Sequence, residues 1–336
     1  MKAKYLGVAV SALIATSFVG EAMATEWNVS LWGKRRAFTE HVEKIAELVK
    51  AKTNGEFTLN ISYGGLAKNK ENLDGISIGA FEMAQFCAGY HADKNPSITV
   101  LELPFLGVDS LELENKVSMA VYNHPAVQAD LARWNATLLM PTPLPQYNVV
   151  GVGDAPTALS GFDGMSVRAT GGIGEAMAAL GAVPTSMSAT EVRQAMDSGV
   201  VKAVSFAPHA HMSFGTVENA EWWTTNLNPG TVNCPVVVNT DALASLSDAE
   251  RDALLGSVDE AMAYYIDFYN EKTMAKWGPL LDKKGIKQIT YDADAIADLK
   301  AKVAGPAAQK WIEDNKARGL PAQELYDLVV STVSGS

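Results

Sequence analysis

Short apolar runs of period two alternate along this chain with stretches of helical spacing, which restricts it to a few α/β architectures. From Glu26 to Trp32, the residues Trp27, Val29 and Leu31 alternate with polar ones, as a strand with one buried face requires. Phe38, Val42, Ile45, Ala46 and Val49 then recur at helical spacing, and Gly55 lies beyond the end of that helix. Phe57, Leu59 and Ile61 alternate again before Gly64-Gly65 turns the chain. Asn72 to Ile78 reads as a short helix leading into a strand-like run from Phe81 to Tyr90. The same style returns later, with a strand at Met165 to Val167, a helix at Glu175 to Leu180 and a strand at Val200 to Phe206. Ser188-Ala189-Thr190-Glu191 is a capping box opening a helix that runs to Ser198. This order predicts βαβ units, mainly parallel sheets and helices on both faces.

At 336 residues the chain is long enough for two such units, each with its own core. A second capping box, Ser247-Asp248-Ala249-Glu250, starts a helical stretch in which Leu254, Val258, Ala261, Tyr265 and Tyr269 keep one face apolar. Continued toward Trp277 it would span ~45 Å, enough to bridge both units. With no repeat and no linker-like run, the units are expected to share several crossings. We assign residues 25–147 plus 234–272 to one lobe and 148–233 plus 273–336 to the other.

The net charge of −11 argues against phosphate-backbone binding, so no nucleic-acid partner is expected. Met1-Lys2-Ala3-Lys4 followed by an uncharged run from Leu6 to Val19 and by Ala22-Met23-Ala24 has the form of a secretory leader, residues 1–24, cleaved before Thr25. The apolar run is short of the ~20 residues that span a bilayer, and no later segment reads as a membrane helix. The mature chain is therefore expected outside the cytoplasm and not embedded in a membrane. Cys87 and Cys234 are the only cysteines and in an exported chain could form one disulfide; each lies in an apolar strand-like run, nothing in the sequence shows that the two runs meet, and we favour two buried thiols.

Motifs for catalysis and cofactors are scarce: Gly-x-Ser-x-Gly, His-Glu-x-x-His and the phosphate-loop pattern are all missing. Gly171-Gly172-Ile173-Gly174 lacks dinucleotide-binding spacing and reads as a flexible turn, and His209-Ala210-His211 reads as two polar loop histidines. No cofactor and no metal are expected. Arg168 stands apart, at the carboxyl end of the apolar strand Gly164-Met165-Ser166-Val167-Arg168, an edge that faces the ligand crevice in open α/β sheets. A guanidinium there can hold a carboxylate through two parallel hydrogen bonds. Position alone is equally consistent with a structural ion pair inside the same lobe.

The stretch from Gly161 to Pro208 resembles the dicarboxylate-type solute-binding proteins of tripartite ATP-independent periplasmic (TRAP) transporters. The residues carrying the likeness are Gly164-Met165-Ser166-Val167-Arg168, Leu180-Gly181-Ala182-Val183-Pro184-Thr185-Ser186-Met187, and Glu191-Val192-Arg193-Gln194-Ala195-Met196 up to Gly199-Val200-Val201. Gly64-Gly65-Leu66, the stretch from Gly79 to Ala84 and Leu103-Pro104-Phe105 resemble the family's first lobe. The resemblance implies a two-lobed periplasmic binding fold with a ligand cleft between the lobes. It also implies a carboxylate-clamping role for Arg168 and delivery of an organic anion to a membrane permease.

Two departures bear on the ligand. Phe206 stands where the family usually carries an amide-bearing contact, and Asn148, beside Tyr147, replaces a second basic residue found in many relatives. Losing a cation and gaining a ring favours an apolar or aromatic monocarboxylate. Trp32, Phe86, Tyr90, Trp222 and Trp223 are candidates for an aromatic wall, two or three of which are expected to touch ligand. Within Lys34-Arg35-Arg36, a solvated loop competes with the reading that one cation faces the cleft; we place Arg35 there, where it could pair a second carboxylate. The competing functions are a receptor for another importer type and an exported hydrolase or lyase; missing nucleophile–base pairs stand against the enzyme.

Overall fold

The computed structural model describes residues 24–335; residues 1–23 of the expected leader lie outside them. In chain order the strands are β1 (Thr25–Leu31), β2 (Phe57–Tyr63), β3 (Met83–Gln85), β4 (Ala136–Met140), β5 (Asn148–Gly151) and β6 (Ser166–Arg168). There follow β7 (Val183–Thr185), β8 (Ala203–Phe206), β9 (Trp222–Thr224), β10 (Val236–Asn239) and β11 (Lys287–Ile289). They form two mixed sheets, ordered β2-β1-β3-β10-β4 and β11-β9-β5-β8-β6-β7. The βα units supply the parallel pairs β1/β2, β1/β3, β6/β8 and β6/β7, and β10 and β5 run antiparallel to their neighbours.

The alternating Trp27, Val29 and Leu31 of β1 are buried in one apolar cluster with the helix Glu40–Lys52, which packs on β2 and whose Val42, Ile45 and Val49 are fully enclosed. At ~25 cal/mol per Å² of apolar surface removed from water, each such side chain contributes roughly 1.5–3 kcal/mol. That helix packs in turn on Val258–Phe268, where Ala261 and Tyr265 are buried. Helix Ala322–Ser334 packs on Leu111–Tyr122, while Ala293–Lys316 contacts both it and the helix Gly171–Ala179.

Four expectations need correction. The run from Phe81 to Tyr90 is a strand only over Met83–Gln85 and closes as a 3-10 turn at Ala88–Tyr90. Gly171-Gly172-Ile173-Gly174 is the first turn of a helix, not a loop; a side chain at Gly172 would lie 2.3 Å from the Glu102 carbonyl oxygen, so the glycine permits a close approach of backbones. The bridging stretch is three pieces, Asp248–Leu255, Val258–Phe268 and Ala275–Lys284. A break at Gly256-Ser257 separates the first two, and a π-helical segment at Tyr269–Met274 joins the last two. The Ser257 hydroxyl donates to the Ala253 carbonyl (2.6 Å) at that break, competing with the helical ladder. It still bridges, since Tyr265 lies against His41 and Trp277 packs on Trp223 of β9 at 4.9 Å between ring centroids.

The fourth correction concerns the cysteines, which form a disulfide (S–S 2.04 Å). The register of β3 on β10 pairs Gln85 with Val236, and continuing it two residues sets Cys87 opposite Cys234. Hydrogen bonds from Phe86 N to Pro235 O (3.2 Å) and from Ala88 N to Asn233 O (2.8 Å) carry the ladder through that point. The bridge closes a sequence separation of 147 residues, so it restricts the unfolded chain strongly. The paired variant Cys87→Ala/Cys234→Ala should lose ~2–5 kcal/mol of unfolding free energy in urea titrations. Reductant should lower the midpoint of the wild type and leave the variant unmoved; equal midpoints for wild type with and without reductant would refute a stabilising bridge.

Candidate ligand-binding cleft

The ends of both sheets meet around a small, partly open cavity. From the first sheet come Trp32, just after β1, and Cys87 to Tyr90, just after β3; from the second come Arg168 ending β6, Phe206 ending β8, and Tyr147 preceding β5. The disulfide forms part of the wall.

Arg168 is 2 % exposed, and among the described residues no carboxylate forms an ion pair with it. Neutral acceptors hold it instead. Nε and Nη2 donate to the Met187 carbonyl (3.3 and 3.0 Å), Nη1 donates to the Ser205 carbonyl (3.4 Å), and Nη2 donates to the Tyr90 hydroxyl (3.1 Å). Its Cζ lies 4.5 Å from the centre of the Phe206 ring. The pairing of β6 between β7 and β8 aligns Arg168 with Thr185 and Val204, and this fixes where the guanidinium stands. Tyr90 also accepts from the Ala189 amide (3.1 Å), so one phenol links the two sheets' loops. The result is an oriented cation whose full charge has no protein counter-charge. Such a group attracts an anion strongly in a water-poor cavity.

Of the nine residues proposed from sequence, Arg168, Phe206, Tyr147, Trp32 and Tyr90 come together around the cavity. Asn148, Arg35, Phe86 and Trp223 do not line it. Asn148 pairs with Phe206 across β5 and β8, but its side chain ties down the 224–228 segment, accepting from Thr224, Leu227 and Asn228 and donating to the Asn228 side chain. Phe86 is fully enclosed in a separate apolar cluster beneath the first sheet, edge-on to His91. Trp223 packs on Trp277 and His211 behind the second sheet, and Trp222 packs on Phe162. Arg35 points outward, with its side chain 58 % exposed and ion-paired to Glu40 at 2.9 Å.

Its neighbour Arg36 is the member of the basic cluster that turns inward. Trp32, Phe38 and Phe214, all cavity-lining, surround it, with Cζ 4.3, 4.4 and 5.3 Å from their ring centres. Nη1 donates to the carbonyls of Trp32 (3.0 Å) and Lys34 (2.9 Å), while Nε and Nη2 are buried without a partner. Burial lowers its affinity for the proton, to a pKa of about 9. The sequence offered no periodicity to separate Arg36 from Arg35. Phe38, His209, Ala210, Phe214 and Glu102 also line the cavity and were missed. His209 and His211 sit on the buried helix Pro208–Ser213, bonded through Nδ1 to Tyr269 and Thr216 (2.7 Å each) rather than exposed in a loop. Burial keeps both neutral, holding His211 down to about 3.

Glu102 is the carboxyl of the wall. One oxygen, Oε1, accepts the backbone amides of Gly89 (3.2 Å) and Asn233 (3.0 Å), and burial raises its pKa to about 7 despite both bonds. A group whose folded pKa exceeds its unfolded value of about 4.5 destabilises the fold as pH rises through that interval. Glu102→Gln should therefore gain unfolding free energy over wild type on going from pH 5 to pH 8, by roughly 2 kcal/mol. Urea titrations at the two pH values check this, and an identical wild-type-to-variant difference at both would contradict the burial argument.

Solved structures share the architecture. A solute-binding protein of a TRAP transporter from an unidentified marine microbe, described as specific for aromatic acids and bound to metahydroxyphenylacetate, superposes with a TM-score of 0.82 at 20% identity. The match covers 93% of this chain and 99% of that one. A TRAP periplasmic protein from Bordetella bronchiseptica with bound (R)- and (S)-mandelate gives 0.80 at 19% identity, covering 93% and 99%. DctP7 of Bordetella pertussis, a receptor binding pyroglutamic acid, gives 0.77 at 20%, covering 91% and 99%. The two-lobed solute-receptor fold is thus shared at low identity. The sequence profile of the bacterial extracellular solute-binding proteins, family 7 (DctP), matches residues 29–314, more than four-fifths of the chain, and the chain belongs to that family.

Proposed function

We propose that this chain is the periplasmic receptor of a TRAP transporter, that it binds a small aromatic or apolar monocarboxylate, and that it hands this ligand to a membrane permease. The observation that carries the reading is Arg168, a buried guanidinium oriented by carbonyl oxygens, facing a cavity and ion-paired to no carboxylate among the described residues. The ligand carboxylate takes the missing counter-charge, and the ring of the acid lies among Trp32, Tyr90, Tyr147 and Phe206. The acids named for the structural relatives, mandelate, metahydroxyphenylacetate and pyroglutamate, support this class.

In this reading the leader, residues 1–24, is removed before Thr25, and the protein carries out no chemistry on its ligand. Among the described residues no helix is long and apolar enough to cross a membrane, in keeping with a separate permease partner. The lobes are residues 25–147 plus 234–272 and 148–233 plus 273–336. Sheet membership supports that division, while the packing of Ala322–Ser334 on Leu111–Tyr122 argues for moving the last helix to the first lobe.

Arg168→Lys keeps the charge and loses the planar fork, and a charge-assisted hydrogen bond contributes ~1.5–3 kcal/mol. Calorimetry with a bound monoacid should show affinity lowered about tenfold to a hundredfold. Equal affinity in a variant that melts like the wild type would remove Arg168 from the site. For ligand class, hydroxybenzoates and benzoate should bind at least about tenfold more tightly than succinate, because a second carboxylate would lie unpaired among rings at a cost of several kcal/mol. A thermal-shift screen in which succinate or malate stabilises and the benzoates do not would reverse that order and point to the unpaired edge of Arg36.

A further inference from the structure

We propose that Glu102 is a second polar anchor of the cleft, and that the ligand is a carboxylic acid bearing an N–H or O–H donor away from its carboxylate. The inference rests on the proposed receptor function and narrows it. Three observations carry it. Glu102 lines the same cavity as Arg168 and is 4 % exposed, yet no cation forms an ion pair with it among the described residues. Its two oxygens are treated differently: Oε1 is saturated by the amides of Gly89 and Asn233, and Oε2 receives no protein hydrogen bond. Glycines flank that second oxygen from both sheets' loops. An added Cβ would lie 2.8 Å from it at Gly89 and 3.1 Å at Gly171, so any larger residue would crowd the space beside Oε2.

A carboxyl held by one oxygen has a fixed orientation, and its free oxygen is a directed acceptor. A carboxyl oxygen in so enclosed a residue seldom goes without a partner, and none of the polar side chains that share the wall, Tyr90, Tyr147, Arg168, Thr170 and His209, bonds to it. A ligand donor meets that need. Sites built around a hydrogen bond to the ligand discriminate far more sharply than apolar pockets, because the analogue without the donor strands a buried acceptor. Arg168 would thus select the acid, the rings its apolar body, and Glu102 the donor.

Matched five-membered heterocycles separate this from simple aromatic binding. Pyrrole-2-carboxylate and pyrrole-3-carboxylate present an N–H where furan-2-carboxylate and furan-3-carboxylate present an acceptor oxygen. Calorimetry on the mature protein at pH 8 should give at least one pyrrole acid a tenfold or greater preference over its furan partner. Glu102→Gln keeps an oxygen for the Gly89 and Asn233 amides and turns an NH₂ toward the ligand, so in that variant the preference should fall below threefold or invert. Furan acids binding as tightly as both pyrrole acids, or a preference that survives Glu102→Gln, would overturn the role of Glu102 and leave the carboxylate receptor standing. Failure of all four acids to bind would overturn the receptor reading for small ring acids, and this inference with it.

Discussion

A guanidinium cannot be taken out of water unless something replaces the hydration it loses, and the architecture of this protein is arranged around that requirement at Arg168. The replacement comes from carbonyl oxygens at Met187 and Ser205, the Tyr90 phenol and the face of Phe206. These partners sit on three separate segments, so the side chain is correctly held only when β6, β7 and β8 are in register and the Ala88–Tyr90 turn lies across them. Dipoles orient the charge without cancelling it, unlike a carboxylate. In the proposed reading, fold and recognition share one interaction.

The second buried guanidinium follows another solution. Arg36 has two carbonyl oxygens and three aromatic rings, and part of its donor edge has no partner at all. Cation–ring attraction adds ~0.5–2 kcal/mol per good contact, which offsets only part of the lost hydration. Arg168 and one carboxyl, Glu102, thus border a largely apolar space, with Arg36 behind three of its rings, and the two guanidinium charges favour an anion there even though the whole chain carries a charge of −11. Local arrangement outweighs the net charge.

Much of the frame was legible in the sequence because it is written in local patterns. Period-two runs marked β1 and β2, helical spacing marked Glu40–Lys52, and an arginine at the end of an apolar run marked the cleft side of β6. What could not be read depends on residues far apart in sequence. Cys87 and Cys234 meet only because β10 returns beside β3, and nothing near either cysteine reports that pairing. Arg35 and Arg36 are adjacent and chemically identical, and the choice between them was made by the rings that close over one of them. Asn148 begins β5, but its amide is consumed by the 224–228 segment, a pairing that no local pattern announces. Glu102 did carry a signal, a lone carboxyl between Leu101 and Leu103. Charges in apolar runs are almost never buried without a reason, so such a residue merits attention at the sequence level.

The Tyr90 phenol and the stacked pair Trp32–Phe214, 6.2 Å between ring centres, join the loops of one sheet to those of the other across the cavity. These contacts have a kinetic consequence: a molecule inside this wall can leave no faster than the wall parts, so the opening rate sets an upper limit on release. The same contacts must break before a molecule can reach the cavity, so arrival is gated by the fraction of time the wall is open. Residence time and capture rate are consequently tied to the strength of a phenol's hydrogen bonds and one ring stack that need never touch the ligand's carboxylate.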